Sequence, residues 1–193
     1  MKLILASQNQ GKVHEAREFL GSLGIELYSL AEFAQTAQLD VEETADSFAG
    51  NALLKAEAYF SELHLPVLAD DSGLEVLALG NEPGVASNRW HPGSDADRNK
   101  ALLQRLVHVS DRRARFVTVL CLLAREKQPI FFRGEVTGTI TLEPVGTEGF
   151  GYDPIFMPDG YNQTFAEMGI AAKNTLSHRA RALQQLQDYL KKN

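Results

Sequence analysis

One cysteine in 193 residues, Cys121, permits no internal disulfide and cannot build a cysteine-based zinc site. Such usage fits a reducing cytoplasm. Long apolar runs are missing too: no stretch approaches the roughly 18 residues that a membrane-spanning helix needs. The opening Met1–Ala6 turns polar at Ser7, too early for the apolar core of a secretory signal, so no signal peptide is expected. Positive charge is in deficit, with 19 Lys and Arg against 25 Asp and Glu and a formal charge of −6. That sign argues against a dedicated nucleic-acid binder. The densest basic group, Arg112, Arg113 and Arg115, reads as a solvated turn before a strand. Repeats, low-complexity tracts and linkers are also lacking, which leaves one domain over residues 1–193 with ample chain to bury a core.

The pattern that is present alternates strands and helices. Leu3–Ala6 is a buried-strand run, and Val13, Ala16, Leu20 and Leu23 then recur at helical spacing with Gly24 as the stop. Ile25–Leu30 suggests a second strand, and the polar stretch Gln35–Asp46 a flexible loop. Ser47 can cap a helix whose inner face is Phe48, Ala52, Ala56, Tyr59 and Leu63. Pro66–Ala69 reads as a strand that stops at Asp70-Asp71-Ser72-Gly73. Ser94–Asp97 resembles a capping box that opens a helix through Leu102, Leu103, Leu106 and Val107. Arg115–Ala124 is the strongest strand signal, and Ile130–Ile140 suggests further strands with bends or bulges at Gly134 and Gly138. A last helix from near Ser177 would bury Leu183, Leu186 and Leu190. The sum is an α/β or mixed α+β domain with a substantial sheet.

Five stretches carry possible chemistry, and each has an ordinary reading as a turn or a cap. Ser7-Gln8-Asn9-Gln10-Gly11-Lys12 lies between a strand and a helix, where backbone amides and a lysine can hold phosphate; it lacks the glycine and hydroxyl of a Walker A loop. Asp70-Asp71 ends a strand, a usual place for a metal ligand or general base, and alternation turns the two side chains to opposite faces. Glu42-Glu43 offers hard oxygen ligands for magnesium. Gly149-Phe150-Gly151-Tyr152-Asp153-Pro154 sets aromatics between glycines, as a nucleobase pocket requires. Lys173 through His178 and Arg179 could donate to a carbonyl oxygen on a base edge.

In this order the motifs resemble the non-canonical purine nucleoside-triphosphate pyrophosphatases, the inosine/xanthosine triphosphate pyrophosphatase family, from Leu3 to near Leu190. The most specific stretches are Ala69–Val76 with Leu79-Gly80 and Pro83–Val85, Gly149–Phe156, Thr164–Met168, and Lys173-Asn174 with Ser177–Ala180. The resemblance implies hydrolysis between the α and β phosphates of inosine, deoxyinosine and xanthosine triphosphates, with Mg²⁺ as cofactor, in a cytoplasmic homodimer that binds neither nucleic acid nor membrane. It implies an elongated mixed β-sheet flanked by helices, with two lobes around a central nucleotide-binding cleft. Ser7 to Lys12, together with Lys55, would contact phosphates; Asp71 would be the catalytic acid residue and a metal ligand; Glu42 would bind metal, with Glu43 the second choice. Ser72, Phe150, Gly151, Tyr152, Asp153, Lys173, His178 and Arg179 would complete the substrate site.

The chain departs from that pattern at Gln8, where the family commonly has glycine, at Gly50, where bacterial members usually carry glutamate, and at Ala172, another common glutamate. Restoring a carboxylate at position 50 is expected to raise activity at low magnesium. Two rival readings share some of these features. The opening Leu3–Ser7 also resembles the Maf-like nucleotide pyrophosphatases, although their Ser-Pro-Arg-Arg signature is missing. A nucleotide-binding sensor without turnover is the rival from another class, with Gly50 in its favour.

Overall fold

The structure, a computed structural model, describes residues 2–21, 24–124 and 128–192, with the backbone alone for residues 37 and 38. Its strands and helices are β1 (Lys2–Ala6), α1 (Gln10–Gly21), β2 (Glu26–Ser29), α2 (Phe48–Leu63), β3 (Val67–Val76), α3 (Asp95–Arg105), β4 (Arg113–Leu123), β5 (Ile130–Ile140), β6 (Phe156–Pro158), α4 (Phe165–Leu176) and α5 (His178–Lys192). The strands form one mixed sheet in the order β2-β1-β3-β4-β5-β6. β1 runs parallel to β2 and β3, with Ile4 opposite Tyr28 and Val67, whereas β5 and β6 are antiparallel, with Ile140 opposite Phe156. This is an α/β fold. The chain divides into two compact units: residues 1–71, 118–134 and 179–193, and residues 72–117 and 135–178.

In the first unit β1 is buried on both faces, which is why Leu3-Ile4-Leu5-Ala6 is apolar without alternation. Leu3, Leu5 and Leu68 pack with Val13, Ala16 and Leu20 of α1 and with Ala182, Leu183 and Leu186 of α5. Ile4, Ala6, Val67 and Ala69 face the other way, onto Ala52, Ala56, Tyr59 and Leu63 of α2. Along β3, Asp70 therefore shares the face of Leu68, and Asp71 the face of Ala69. The second unit has its own core of Leu74, Leu102, Leu106, Phe116, Tyr152, Ile155, Phe156 and Phe165. Phe116 and Phe156 meet edge to face there, at 4.7 Å between centroids.

Several expected boundaries move. β3 does not stop at Asp70 but continues to Val76, because both carboxylates find partners and need not turn out to water. The second strand is shorter than Ile25–Leu30 and passes at Leu30 into a 3-10 turn. Part of the Gln35–Asp46 stretch is also ordered as a 3-10 turn over Ala34–Gln38, tied by Thr36 Oγ1 donating to the Leu30 carbonyl at 2.8 Å. Leu23, expected to close the face of α1, lies outside the described residues. Val107 was expected inside α3 yet is 67% exposed, since the helix ends two residues earlier. β5 runs unbroken through Gly134 and Gly138; a Cβ at 138 would meet Pro158 Cα at 2.9 Å, so that glycine admits β6. α4 was not expected as a helix, although Thr164 and Glu167 form its capping box, and Gly169, at φ 77°, breaks it in the middle.

Candidate active site

The turn after β1 is organised by Asn9. Its Oδ1 accepts the backbone N–H of Gly11 at 2.9 Å and of Lys12 at 3.2 Å, and its own N–H donates to Ser7 Oγ at 3.2 Å. Asn9 thus caps α1 and uses two of the helix's first amides itself. Gln8 and Gln10 stay exposed, while Ser7, Gly11 and Lys12 are half-buried. The first turn of α1 carries Lys12 inward, where Nζ donates to Asp70 Oδ1 at 2.6 Å.

Asp70 Oδ2 accepts from Arg179 Nε at 2.8 Å, and Arg179 Nη1 also donates to Glu15. Asp70, Glu15 and Arg179 are all buried. Burial opposes the charge on Asp70, but Arg179 and Lys12 outweigh it and hold its carboxyl well below the usual carboxylate range. For Lys12 burial is again the largest influence and lowers its pKa against the pull of Asp70. Arg179, which the resemblance groups with base recognition, stands here in the first unit as the clamp on Asp70.

The opposite face of β3 carries the other carboxylate. Lys55 Nζ donates to Asp71 Oδ1 at 2.9 Å, to Glu43 Oε1 at 2.6 Å and to the Asp70 carbonyl at 2.8 Å. One helical turn earlier, buried Asn51 donates from Nδ2 to Asp71 Oδ2 at 3.4 Å and accepts the Ala45 N–H on Oδ1 at 2.9 Å. Burial raises the Asp71 carboxyl above its ordinary pKa, and Lys55 only partly offsets it. Burial works against the Lys55 ammonium, but Asp71 and Glu43 prevail and raise its pKa. Glu43, not Glu42, faces this lysine; Glu42 is exposed. Gly50 has a steric reason to be glycine: a Cβ there would meet Ala45 Cβ at 2.6 Å. A glutamate at 50 would therefore have to displace Ala45, in the segment that follows Glu43.

The second unit holds the aromatic loop. Asp153 Oδ2 accepts from the Phe150 N–H at 2.8 Å and from Lys173 Nζ at 2.7 Å, with both charged side chains buried. Lys173 Nζ also lies 4.4 Å from the centre of the Phe150 ring, a cation–π contact. Tyr152 is buried and donates from its hydroxyl to the Ser87 carbonyl at 2.9 Å. Gly149 and Gly151 both take left-handed φ, and a Cβ at 149 would collide with the Asp153 carboxylate. His178 stacks on Phe116 at 4.7 Å and 8°. Ser72 sits half-buried on β3 directly after Asp71.

No three His, Cys, Asp or Glu side chains group as a metal cage among the described residues. Magnesium does not require one, since it binds through one or two carboxylates and takes phosphate oxygens and water for the rest. Glu43 and Asp71, converging on one ammonium, fit that demand. Sequence reading passed over Glu15, Asn51, Asp95 and Asn99. The findable signals were the spacings Lys12–Glu15, Asn51–Lys55 and Asp95–Asn99, each placing two polar side chains on one helix face.

Two carboxylates on opposite faces of one strand, each paired with a lysine, mark the site of this α/β protein. The Ham1 family model matches residues 3–189. A dITP/XTP pyrophosphatase of Symbiobacterium thermophilum is 49% identical over 94% of this chain and 91% of its own length. One from Thermus thermophilus is 47% identical over 96% of this chain and 90% of its own. Among solved structures, a HAM1 protein from Coxiella burnetii superposes with a TM-score of 0.90 at 39% identity, covering 100% of both chains. The Staphylococcus aureus Ham1 protein gives 0.89 at 37%, covering 99% of this chain and 98% of that one. The chain belongs to the Ham1 family.

Proposed function

We propose that this protein hydrolyses inosine, deoxyinosine and xanthosine triphosphates to the monophosphate and pyrophosphate, and so clears them from the nucleotide pool. The observation that carries the reading is the Glu43–Lys55–Asp71 group, a base and a cation held in one hydrogen-bonded set. The names of the relatives support the substrate class.

A nucleoside triphosphate is strongly anionic, and its hydrolysis needs charge neutralisation, an in-line water and a base. Lys12 and Lys55 supply positive charge from two faces of β3. Glu43 and Asp71 would hold magnesium, which when bound supplies further neutralisation of the phosphates. Asp71 takes a proton from the attacking water as that oxygen bonds to the α-phosphorus. The bond from phosphorus to the α–β bridging oxygen breaks, and pyrophosphate leaves with the electron pair. In the second unit Phe150 offers a ring to a purine, and Lys173 is a donor for an oxygen at position 6. Adenine presents an amino group there, and a buried donor left unmatched costs about 1–3 kcal/mol. The resemblance further supports a cytoplasmic homodimer, for which gel filtration is the first check.

The test is incubation with Mg²⁺ and inosine, xanthosine, deoxyinosine, guanosine or adenosine triphosphate, with products separated by anion exchange. Monophosphate and pyrophosphate formed preferentially from the 6-oxo, non-guanine substrates are expected. Nucleotide binding without turnover would replace the enzyme by a sensor, and release of inorganic phosphate would move the cleaved bond.

A further inference from the structure

The catalytic reading leaves α3 without a task, yet two of its side chains grip the loop on which base selection depends. The Gly151 N–H donates to Asp95 Oδ2 at 2.7 Å, and the Gly151 carbonyl accepts from Asn99 Nδ2 at 3.1 Å. Asp95 and Asn99 are one helical turn apart, so both reach the same residue from one face of α3. Arg98 pairs with the other oxygen of Asp95 and steadies it.

Packing alone does not account for Asn99. It is 3% exposed, and its Oδ1 finds no hydrogen-bond partner among the described residues. A bare amide oxygen in the interior is unfavourable, and leucine would fill the space without it. What the asparagine adds is its donor to Gly151. The loop needs such a restraint, because Gly149 at φ 79° and Gly151 at φ 63° flank Phe150 with conformationally soft backbone on both sides. Asp153 ties the Phe150 N–H on one side, and α3 ties both polar groups of Gly151 on the other. The loop's fold has a separate anchor in the buried Tyr152 and its bond to Ser87.

We propose that Asp95 and Asn99 are specificity-determining positioning residues: by clamping both polar groups of Gly151 they fix the height and tilt of the Phe150–Tyr152 segment that distinguishes a 6-oxo from a 6-amino purine. The inference rests on the base-recognition reading above. Both side chains act through Gly151.

Asp95→Ala and Asn99→Leu test it, with kcat and KM measured for inosine and adenosine triphosphates, inhibition by pyrophosphate, and thermal unfolding. The KM for inosine triphosphate rises about tenfold with kcat within about twofold, the scale of one lost hydrogen bond. Selectivity for inosine over adenosine triphosphate falls by a similar factor, while inhibition by pyrophosphate, which has no base, is unchanged. Asp95→Asn restores most of the selectivity, since its amide oxygen can still accept from Gly151. Equal losses for both nucleotides, or intact selectivity in both variants, overturn the clamp. If Asn99→Leu fails to fold, Asp95→Ala decides alone, because its carboxylate is 46% exposed in the first turn of α3. A wild-type enzyme that does not prefer inosine to adenosine triphosphate overturns the base reading and the clamp together, whereas a selective wild type with equally selective variants overturns the clamp only.

Discussion

Asp70 and Arg179 stand 109 positions apart in the chain and 2.8 Å apart in space. With Lys12 on its second oxygen, Asp70 joins α1, β3 and the start of α5 in one buried junction. Its neighbour Asp71 faces the other way, toward Lys55, where the proposed function places the chemistry. One dipeptide thus sends its two carboxylates to separate ion-pair groups by the pleat of a strand.

Removing one member of a buried ion pair leaves its partners uncompensated and costs about 3–5 kcal/mol. Asp70→Asn is therefore expected to lower the urea midpoint markedly. Because the folded-state pKa of Asp70 is depressed, its contribution is complete above the unfolded value of about 3.9 and is lost as the pH falls below it. Urea titrations across that range should show an acid-side slope that is shallower in the variant than in the wild type.

Asp71→Asn should reduce kcat by about 10²–10⁴-fold, the usual worth of a general base, with circular dichroism unchanged. Near-normal turnover would remove Asp71 from the mechanism.

Lys55 is the cation that offsets the upward shift of Asp71. In Lys55→Met the carboxyl rises further, so the acid limb of kcat/KM moves to higher pH and the maximal rate falls. A pH–rate profile of both proteins reads the direction directly, and a limb that stays in place would uncouple the pair.

Gly50→Ala gains about 1 kcal/mol of helix propensity. It also drives a methyl into Ala45, and such overpacking costs about 1–3 kcal/mol. Since Ala45 has no flexible end to yield, net destabilisation is expected, and Ala45→Gly in the same chain should relieve it. Melting temperatures of the two single variants and the double variant decide the matter.

Cys121 is buried, and burial pushes its thiol up to about 12. A chromogenic disulfide reagent at pH 8 should leave the native protein unlabelled and titrate one thiol after denaturation.

The features written in periodicity were legible: β1, the inner face of α2, the Ser94 capping box and β4 all stand where the apolar spacing puts them. The opposite facing of Asp70 and Asp71 also followed from alternation. What stayed hidden depends on partners distant in sequence. β3 could pass through two aspartates only because Lys12, Arg179 and Lys55 meet them there, and no local window contains those residues. That Glu43 rather than Glu42 meets Lys55 depends on the direction of a coil segment, which Asn51 holds through the Ala45 N–H. Gly50 looked like a lost carboxylate until the position of Ala45 showed a steric demand.

The pleat of β3 also makes its reading frame a point of fragility. One residue inserted ahead of Asp70 would rotate the following side chains by half a turn, presenting the supporting aspartate to Lys55 and the reactive one to Arg179. Both carboxylates would survive such a change, and so would the local composition. Length variation along this lineage is therefore expected to fall in the connections on either side of the strand, never within Val67–Asp71.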